Sequence, residues 1–350
     1  MKIQLIKWYD NNNYDFPWRN SNNPYETWIS EVMLQQTQVK TAIPYFNKWM
    51  KRFPTIQDVA KTDIDIILKY WEGLGYYSRA HNIKKSAIII CKEMKGQFPQ
   101  NDSLRSLPGI GDYMQGSIMS IAFNKPYSAV DGNVKRVFSR LLCQNFNSIK
   151  EIKKLKKYIL QKIHKTRPGC FNQALMDLGR EICKPSSPLC NCCPIQNKCI
   201  AYSKNLTSAY PKKIIKKKRP SFDVVAGFIV NRKNNFLITK RPKNKMLGGL
   251  WELPGGKREK GESLKDSLKR EIKEEINIEI NVNQKIGMIQ HSYSHMNINL
   301  HGFICDIKKG KIRKRECDDT KWINMKQIDN FSFPKASHKL FSIIKDDYVN

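Results

Sequence analysis

Over residues 1 to about 200 the apolar positions recur with a period near 3.6, most clearly in 55–70, 78–94, 113–123, 134–142 and 149–163, with Pro and Gly at the breaks. The pattern predicts a run of helices. Pro44 is expected to open a new helix, since a first-turn proline gives up no helical hydrogen bond. Beyond residue 221 the pattern changes. VVAGFIV, NFLITKR, KIGMIQHSYSH and NINLHGFICDI are strand-like, and 263–276 forms one amphipathic helix. Between the two patterns, SKNLTSAYPKKIIKKKRPS (203–221) is polar, proline-bracketed and strongly basic, as a linker would be. No internal repeat is evident. The chain therefore reads as an all-α domain at 1–203, a basic linker at 204–221 and an α+β domain at 222–350.

Composition adds a partner class. At 350 residues there is enough chain for two cores. Lys plus Arg number 62 against 31 Asp plus Glu, a formal charge of +31. Part of that surplus follows from a general richness in Lys, Ile and Asn. The remainder favours a polyanion, with nucleic acid first and an anionic membrane surface second. No apolar run approaches the ~20 residues that span a bilayer, and MKIQLIKWYDNNNYDF is no signal peptide. The ten cysteines are clustered or scattered singly, which fits a reducing cytoplasm better than a disulfide framework.

Four of those cysteines carry chemistry. Cys183, Cys190, Cys193 and Cys199 are spaced C-x6-C-x2-C-x5-C. Four thiolates in one short stretch can close a tetrahedral sulfur site, and soft sulfur suits an iron–sulfur cluster or zinc. Spacing alone does not choose the metal, though zinc sites usually have two short pairs and here only the middle pair is short. The intervening KPSSPLCNCCPIQNK is poor in core residues and needs a staple to be ordered. Cys192 lies inside the loop but off the pattern.

Two carboxylates and one turn point to a site in the helical half. LPGIG at 107–111 joins two helical patterns, and Gly109 and Gly111 let backbone N–H groups approach an anion where the next helix begins. An ordinary helix–helix turn would look the same. In AVDGNVKRVFSRL, Asp131 precedes a helix, where it serves as a cap or as a carboxylate kept ionised by the helix dipole. In WISEVMLQQTQV, Glu31 has mostly apolar neighbours. It is either solvated or partly buried with a raised pKa, as a general acid requires.

SEVMLQQTQV, GLGYYSRA, LPGIG, DGNVKRV, FNQALMDLG and the four-cysteine loop occur in the order found in MutY-type adenine DNA glycosylases, so nearly the whole chain resembles that family. The cysteine spacing resembles the four-iron four-sulfur loop shared with endonuclease III. LPGIG resembles the hairpin of a helix-hairpin-helix motif, which grips phosphates without reading bases. Endonuclease III relatives carry a Schiff-base lysine soon after the hairpin, where this chain has Tyr113. The resemblance therefore implies a monofunctional glycosylase of the cytoplasm, nucleoid-associated in a bacterium. Its implied substrate is double-stranded DNA with adenine opposite 8-oxoguanine or guanine, with no membrane partner and a monomeric state. It further implies that Glu31 protonates the adenine, that Asp131 stabilises the sugar cation, and that Tyr113 and Asn133 orient the acid and the sugar. Gln36 and Tyr76 match positions that fill or wedge the base stack. Met114 and Gln115 depart from the small or hydroxyl residues the family pattern would have there.

The C-terminal half resembles MutT, a Nudix nucleotide hydrolase, as MutY-type enzymes do. In HSYSH, Tyr293, Ser294 and His295 lie where that family reads 8-oxoguanine, Tyr by stacking and Ser and His by hydrogen bonds. A plain strand-end turn is the alternative. GGKREKGESLKDSLKREIKEEINI places Gly256, Glu262, Arg270, Glu271, Glu274 and Glu275 at Nudix spacings. Leu264, Leu268, Ile272 and Ile276 form the buried stripe, and Glu271, Glu274 and Glu275 are expected to share another face, where they would suit Mg²⁺. Asn277 replaces the motif's Gly and tolerates the left-handed conformation of a helix end. A solvated scaffold helix without turnover is the competing reading. Two rival functions stay open, an 8-oxo-dGTP pyrophosphohydrolase with a DNA-binding helical half and a noncatalytic lesion sensor.

Overall fold

In a computed structural model, which describes residues 1–12, 14–19, 21–212 and 218–348, helical chain gives way to strands beyond residue 220, as the periodicity predicts. The helices are α1 (Lys2–Asn11), α2 (Pro24–Leu34), α3 (Val39–Arg52), α4 (Ile56–Lys61), α5 (Ile64–Trp71), α6 (Ser78–Glu93), α7 (Asp112–Ile121), α8 (Gly132–Leu142), α9 (Ile149–Lys162), α10 (Pro168–Asp177) and α11 (Ile200–Ser203). Then follow β1 (Ser221–Ile229), β2 (Phe236–Lys240), β3 (Trp251–Glu252), β4 (Gly255–Lys257), α12 (Leu264–Ile276), β5 (Glu279–Ser292), β6 (Asn297–Lys309), β7 (Asp319–Ile323) and α13 (Lys335–Tyr348).

Two details of the helical pattern differ from the expectation. Pro44 lies inside α3 rather than at its start. The helix tolerates it because Pro44 and Lys40, whose carbonyl loses its donor, are both exposed, while Ala42, Phe46 and Trp49 bury the opposite face. The single helix expected at 55–70 is broken in two, since the Asp63 side chain accepts the backbone N–H of Asp65 and caps a fresh start for α5.

By packing, the chain divides into one unit of Met1–Lys61 and Asn82–Ile215 and another of Thr62–His81 and Lys216–Asn350. This differs from the expected boundaries in grouping Thr62–His81 with the C-terminal strands. The expected linker is also partly tied down. Arg140 Nε donates to the carbonyls of Thr207 and Tyr210, each at 2.9 Å. Residues 213–217 of that stretch, and the last two residues of the C-terminal domain, lie outside the described residues.

In the helical unit, Leu5, Phe138, Phe171, Ala174, Leu175 and Leu178 centre one core, which draws together α1, α8, α9 and α10. Trp28, Met33, Trp49 and Phe53 are fully buried around α2 and α3. The second unit holds two sheets, ordered β4-β1-β6-β5 and β3-β2-β7. β1 pairs with β6 in parallel and with β4 antiparallel. From Val225 to Ile229 β1 shows no polar face because both of its faces are covered. Val225 and Ile229 pack with Leu268, Ile272 and Ile276 of α12, while Ala226 and Phe228 join Phe236, Phe333, Leu340 and Phe341 on the other side.

Candidate active site

Glu31 sits on α2, a helix buried almost all round. Asn23 caps it by accepting the N–H of Tyr25 at 2.9 Å, and Pro24 occupies its first position. Tyr25 fixes its start by donating to the Phe53 carbonyl (2.8 Å) and accepting from Trp49 Nε1 (2.9 Å). Glu31 is 6% exposed. Its Oε2 accepts the hydroxyl of Tyr113, which comes from the first turn of α7. Burial pushes the Glu31 pKa up and Asp131 adds to it, while the Tyr113 and Ser117 hydroxyls and the Arg19 guanidinium pull the other way. Burial raises the Tyr113 pKa as well, followed by the charges of Glu31 and Asp131. The Glu31 carboxylate thus bonds the Tyr113 phenol, and the charge of Asp131 acts on both.

Asp131 is the N-cap of α8. Its Oδ1 accepts Val134 N–H at 2.7 Å and its Oδ2 accepts Asn133 Nδ2 at 2.8 Å. Burial raises its pKa, whereas those donors and Arg136 favour the anion. Asn133 is held from behind. Its Oδ1 accepts Arg136 (2.8 Å), which also donates to the carbonyls of Gly179 (2.7 Å) and Cys183 (2.8 Å). A Cβ on Gly179 would stand 2.5 Å from that of Asn133, so a larger residue there would displace the start of α8.

The hairpin at 107–111 precedes α7 directly. Gly109 has φ +81, and a Cβ there would lie 2.9 Å from the Cβ of Asn82. Gly111 is the N-cap of α7 and faces open space. Met114 and Gln115, the departures from the family pattern, are both buried. Gln115 Nε2 finds a partner in Asp102 Oδ1 at 2.9 Å, tying the turn before the hairpin to α7. Gln36 is exposed just past α2 with φ 61, in the left-handed region that bulky residues avoid.

The sequence reading missed four residues that organise this unit. Arg19 donates to both oxygens of the fully buried Asp177, each at 2.8 Å, and to Tyr9 Oη at 2.9 Å. Arg136 and Arg140 stand four residues apart on α8, and that spacing was the available signal. Arg140, 2% exposed, donates to the carbonyls of Lys184 (2.7 Å) and Pro185 (3.0 Å) and to Cys183 Sγ at 3.2 Å. It thereby threads the cysteine loop onto α8. Cys183, Cys193 and Cys199 pack against the helical core, and Cys192 is exposed, off the pattern as expected. Burial, then the neighbouring sulfurs, push the Cys190, Cys193 and Cys199 thiols upward, Cys193 to about 11. Among the described residues no group of three or more His, Cys, Asp or Glu side chains stands ready to hold a metal ion.

The remaining predicted residues belong to the other unit. Tyr76 is 46% exposed with φ 47. Ser294 and His295 are exposed at the β5–β6 turn, with Ser294 Oγ 3.4 Å from His295 Nδ1. Tyr293 turns inward instead. Its N–H bonds Met296 O at 2.8 Å, and its ring lines a cavity of about 220 Å³ with Arg241, Glu252 and Met296. The expected convergence of three carboxylates on α12 does not form. Arg270 bonds Glu271 (3.1 Å) and Glu274 (2.9 Å), filling the space between them. Glu275 faces inward, accepting Gly255 N–H at 3.1 Å beside Glu252. Arg241 bonds Glu252 through contacts of 2.7 and 2.6 Å, yet burial still raises the Glu252 pKa, and burial with that neighbouring carboxylate pushes Glu275 up as well. Asn277 is left-handed, as expected, with φ 61.

Known proteins resemble both halves. A model of the HhH-GPD superfamily of base excision DNA repair proteins matches residues 29–163, and a NUDIX domain model matches 225–342. A protein of Buchnera aphidicola subsp. Schizaphis graminum named adenine DNA glycosylase is 36% identical over 348 residues, covering 97% of each chain. The adenine DNA glycosylase of Mus musculus is 30% identical, covering 99% of this chain and 78% of its own. The structure of a thermostable thymine-DNA glycosylase superposes with a TM-score of 0.54 at 28% identity, over 58% of this chain and 94% of that one.

Proposed function

Because the chain belongs to the adenine DNA glycosylase family, we propose that it hydrolyses the N-glycosidic bond of adenine mispaired with 8-oxoguanine or guanine in duplex DNA. The observation that carries this reading is a buried Glu31, held by the Tyr113 hydroxyl and near enough to Asp131 to feel its charge. Tyr113 occupies Oε2 of Glu31, which leaves Oε1 to carry a proton to N7 of an extruded adenine. Protonation makes the base a good leaving group. The departing electron pair stays on the adenine and leaves an oxocarbenium-like sugar, which anionic Asp131 faces. Asn133 orients that anion, and deprotonated Glu31 then activates water. A pyrophosphohydrolase or a passive lesion sensor needs neither carboxylate. The decisive measurement is single-turnover base release from adenine opposite 8-oxoguanine, with guanine and cytosine opposite as controls.

Gly109 and Gly111 suit a phosphate grip, and Gln36 and Tyr76 suit filling and wedging the stack, each in a strained, exposed turn. Ser294 and His295, exposed at a hairpin tip, suit the reading of 8-oxoguanine by hydrogen bonds, with the half-buried Tyr293 as their footing. The variant Ser294→Ala/His295→Ala is expected to lose about 10-fold or more of its preference for 8-oxoguanine over guanine, at about 1 kcal/mol or more per lost bond. Unchanged discrimination would remove their assignment. Such an enzyme acts where the chromosome is, at the nucleoid, as a monomer. No helix among the described residues is long and apolar enough to cross a membrane.

The spacing of the four cysteines and the seat of their loop on the helical core support a 4Fe-4S cluster as the group the loop would hold. Three of the four sulfurs lie against the helical core, and Arg140 donates to one of them, Cys183, while pinning the loop. Cys183, Cys190, Cys193 and Cys199 would hold the cluster, which would supply a structural staple to the loop. Purified protein is expected to contain about four iron atoms per chain, with sulfide. Cys199→Ser should lower both iron content and DNA affinity. Stoichiometric zinc in anaerobically prepared protein would contradict this.

The α12 carboxylates do not fit Mg²⁺ as arranged. Arg270 lies across Glu271 and Glu274, and Glu275 is turned away from them to accept Gly255 N–H, its pKa pushed up by burial and by Glu252. The C-terminal unit is better read as a lesion reader on a Nudix scaffold than as an 8-oxo-dGTP hydrolase. Mg²⁺-dependent pyrophosphate release from 8-oxo-dGTP that Glu274→Gln abolishes would reverse that reading.

A further inference from the structure

The segment Thr62–His81 falls inside the span of the glycosylase family model, 29–163, yet packs with the C-terminal strands. Its ties there are specific. Lys240 Nζ bonds both oxygens of Asp65 (2.6 and 2.7 Å), and Lys69 Nζ donates to the Phe331 carbonyl at 3.0 Å. His81 Nε2 lies 2.9 Å from the Gly248 carbonyl. Glu72 is the hub. Its Oε1 accepts both Phe333 N–H and His338 Nε2, each at 2.7 Å, and its Oε2 accepts Lys69 Nζ at 2.6 Å. Burial works against the charge of Glu72, but these three donors outweigh it and hold its pKa below the usual carboxylate value.

Glu72 immediately precedes the turn that carries Tyr76. That turn is fixed from within. Trp71 Nε1 donates to Gly75 O (3.1 Å), Arg79 donates to Leu74 O (3.2 Å) and Gly75 O (3.1 Å), and the Arg79 guanidinium lies over the rings of both Trp71 (5.2 Å) and Tyr76 (5.5 Å). A tyrosine at φ 47 keeps that conformation only while its surroundings enforce it. The residues that flank the turn, Asp65, Glu72 and His81, are tied to partners more than 160 positions away in sequence.

We infer that Glu72 and His338 are positioning residues through which the C-terminal, lesion-reading part of the chain sets the turn that presents Tyr76 to DNA. The inference rests on the reading of Tyr76 as a side chain that stacks on the bases. It makes the C-terminal part of the chain a participant in opening the stack as well as a reader of the lesion. Lys240 contributes to the same effect through Asp65.

The test uses the full-length protein and a lesion duplex with 2-aminopurine beside the 8-oxoguanine, whose fluorescence rises when its stack is opened. Wild type is expected to brighten it. Tyr76→Ala should abolish the brightening and weaken binding by about 5- to 150-fold, the worth of one base–aromatic stack. Glu72→Gln, His338→Gln and Lys240→Met should each lose part of both signals, about 3- to 10-fold in affinity. In the Tyr76→Ala background Glu72→Gln should cost nothing further, which a merely structural role would not produce. Full brightening and affinity in Glu72→Gln, His338→Gln and Lys240→Met, with both lost in Tyr76→Ala, would overturn the inference and leave the stacking reading standing. An undiminished cost of Glu72→Gln on top of Tyr76→Ala would also overturn it. Wild-type behaviour of Tyr76→Ala would overturn both.

Discussion

Glu31→Gln is expected to reduce single-turnover adenine release by about 10³-fold or more while leaving affinity for the lesion duplex within a few-fold of wild type. The glutamine keeps the shape of the side chain and an acceptor for the Tyr113 hydroxyl, so the 6%-exposed site has no cavity to fill and no reason to unfold. What is lost is the proton. The pH profile follows with a definite sign. Burial raises the Glu31 pKa, so the protonated, active form persists above the ordinary carboxylate range and the rate falls as pH rises through that raised value. Tyr113→Phe removes a donor that favours the anion, which should move this limb to still higher pH. The checks are rapid-quench base release across pH and equilibrium binding to an uncleavable duplex. Near-normal release by Glu31→Gln would end the assignment of Glu31 as the acid.

Much of this site was legible because its chemistry is written in local signals. Asp131 before a small residue and a helix is a cap in any context, and the structure makes it one. The α12 stripe of Leu268, Ile272 and Ile276 and the left-handed Asn277 follow from periodicity and from asparagine's tolerance of positive φ. What stayed hidden depends on partners far away in sequence. Arg19 meets Asp177 across 158 residues, and Lys240 meets Asp65 across 175. No pattern within one element announces such pairs. The same limit explains the Nudix-type carboxylates. Helical spacing put Glu271, Glu274 and Glu275 within a turn of one another, but it could not say that Arg270 would lie across two of them or that Glu275 would turn toward Glu252. Pro44 misled for a related reason, since whether a proline breaks a helix depends on how exposed the orphaned carbonyl is.

Asp131→Asn separates capping from catalysis because the two roles need different properties of one side chain. The cap requires only an oxygen to accept Val134 N–H at 2.7 Å, which asparagine also offers. The proposed catalytic role requires charge. As the glycosidic bond breaks, positive charge grows on the sugar, and a full anion in a site largely shut from water stabilises it more than a neutral amide can. The variant should therefore melt within a few degrees of wild type yet release adenine about 10²- to 10³-fold more slowly. It should also lose any covalent sugar adduct that a nucleophilic trapping experiment detects with wild type. Asn133→Ala, which deletes a 2.8 Å donor to Asp131 and leaves its charge, should fall between the two. If Asp131→Asn cuts at the wild-type rate, Asp131 is a helix cap and the cation must be stabilised elsewhere.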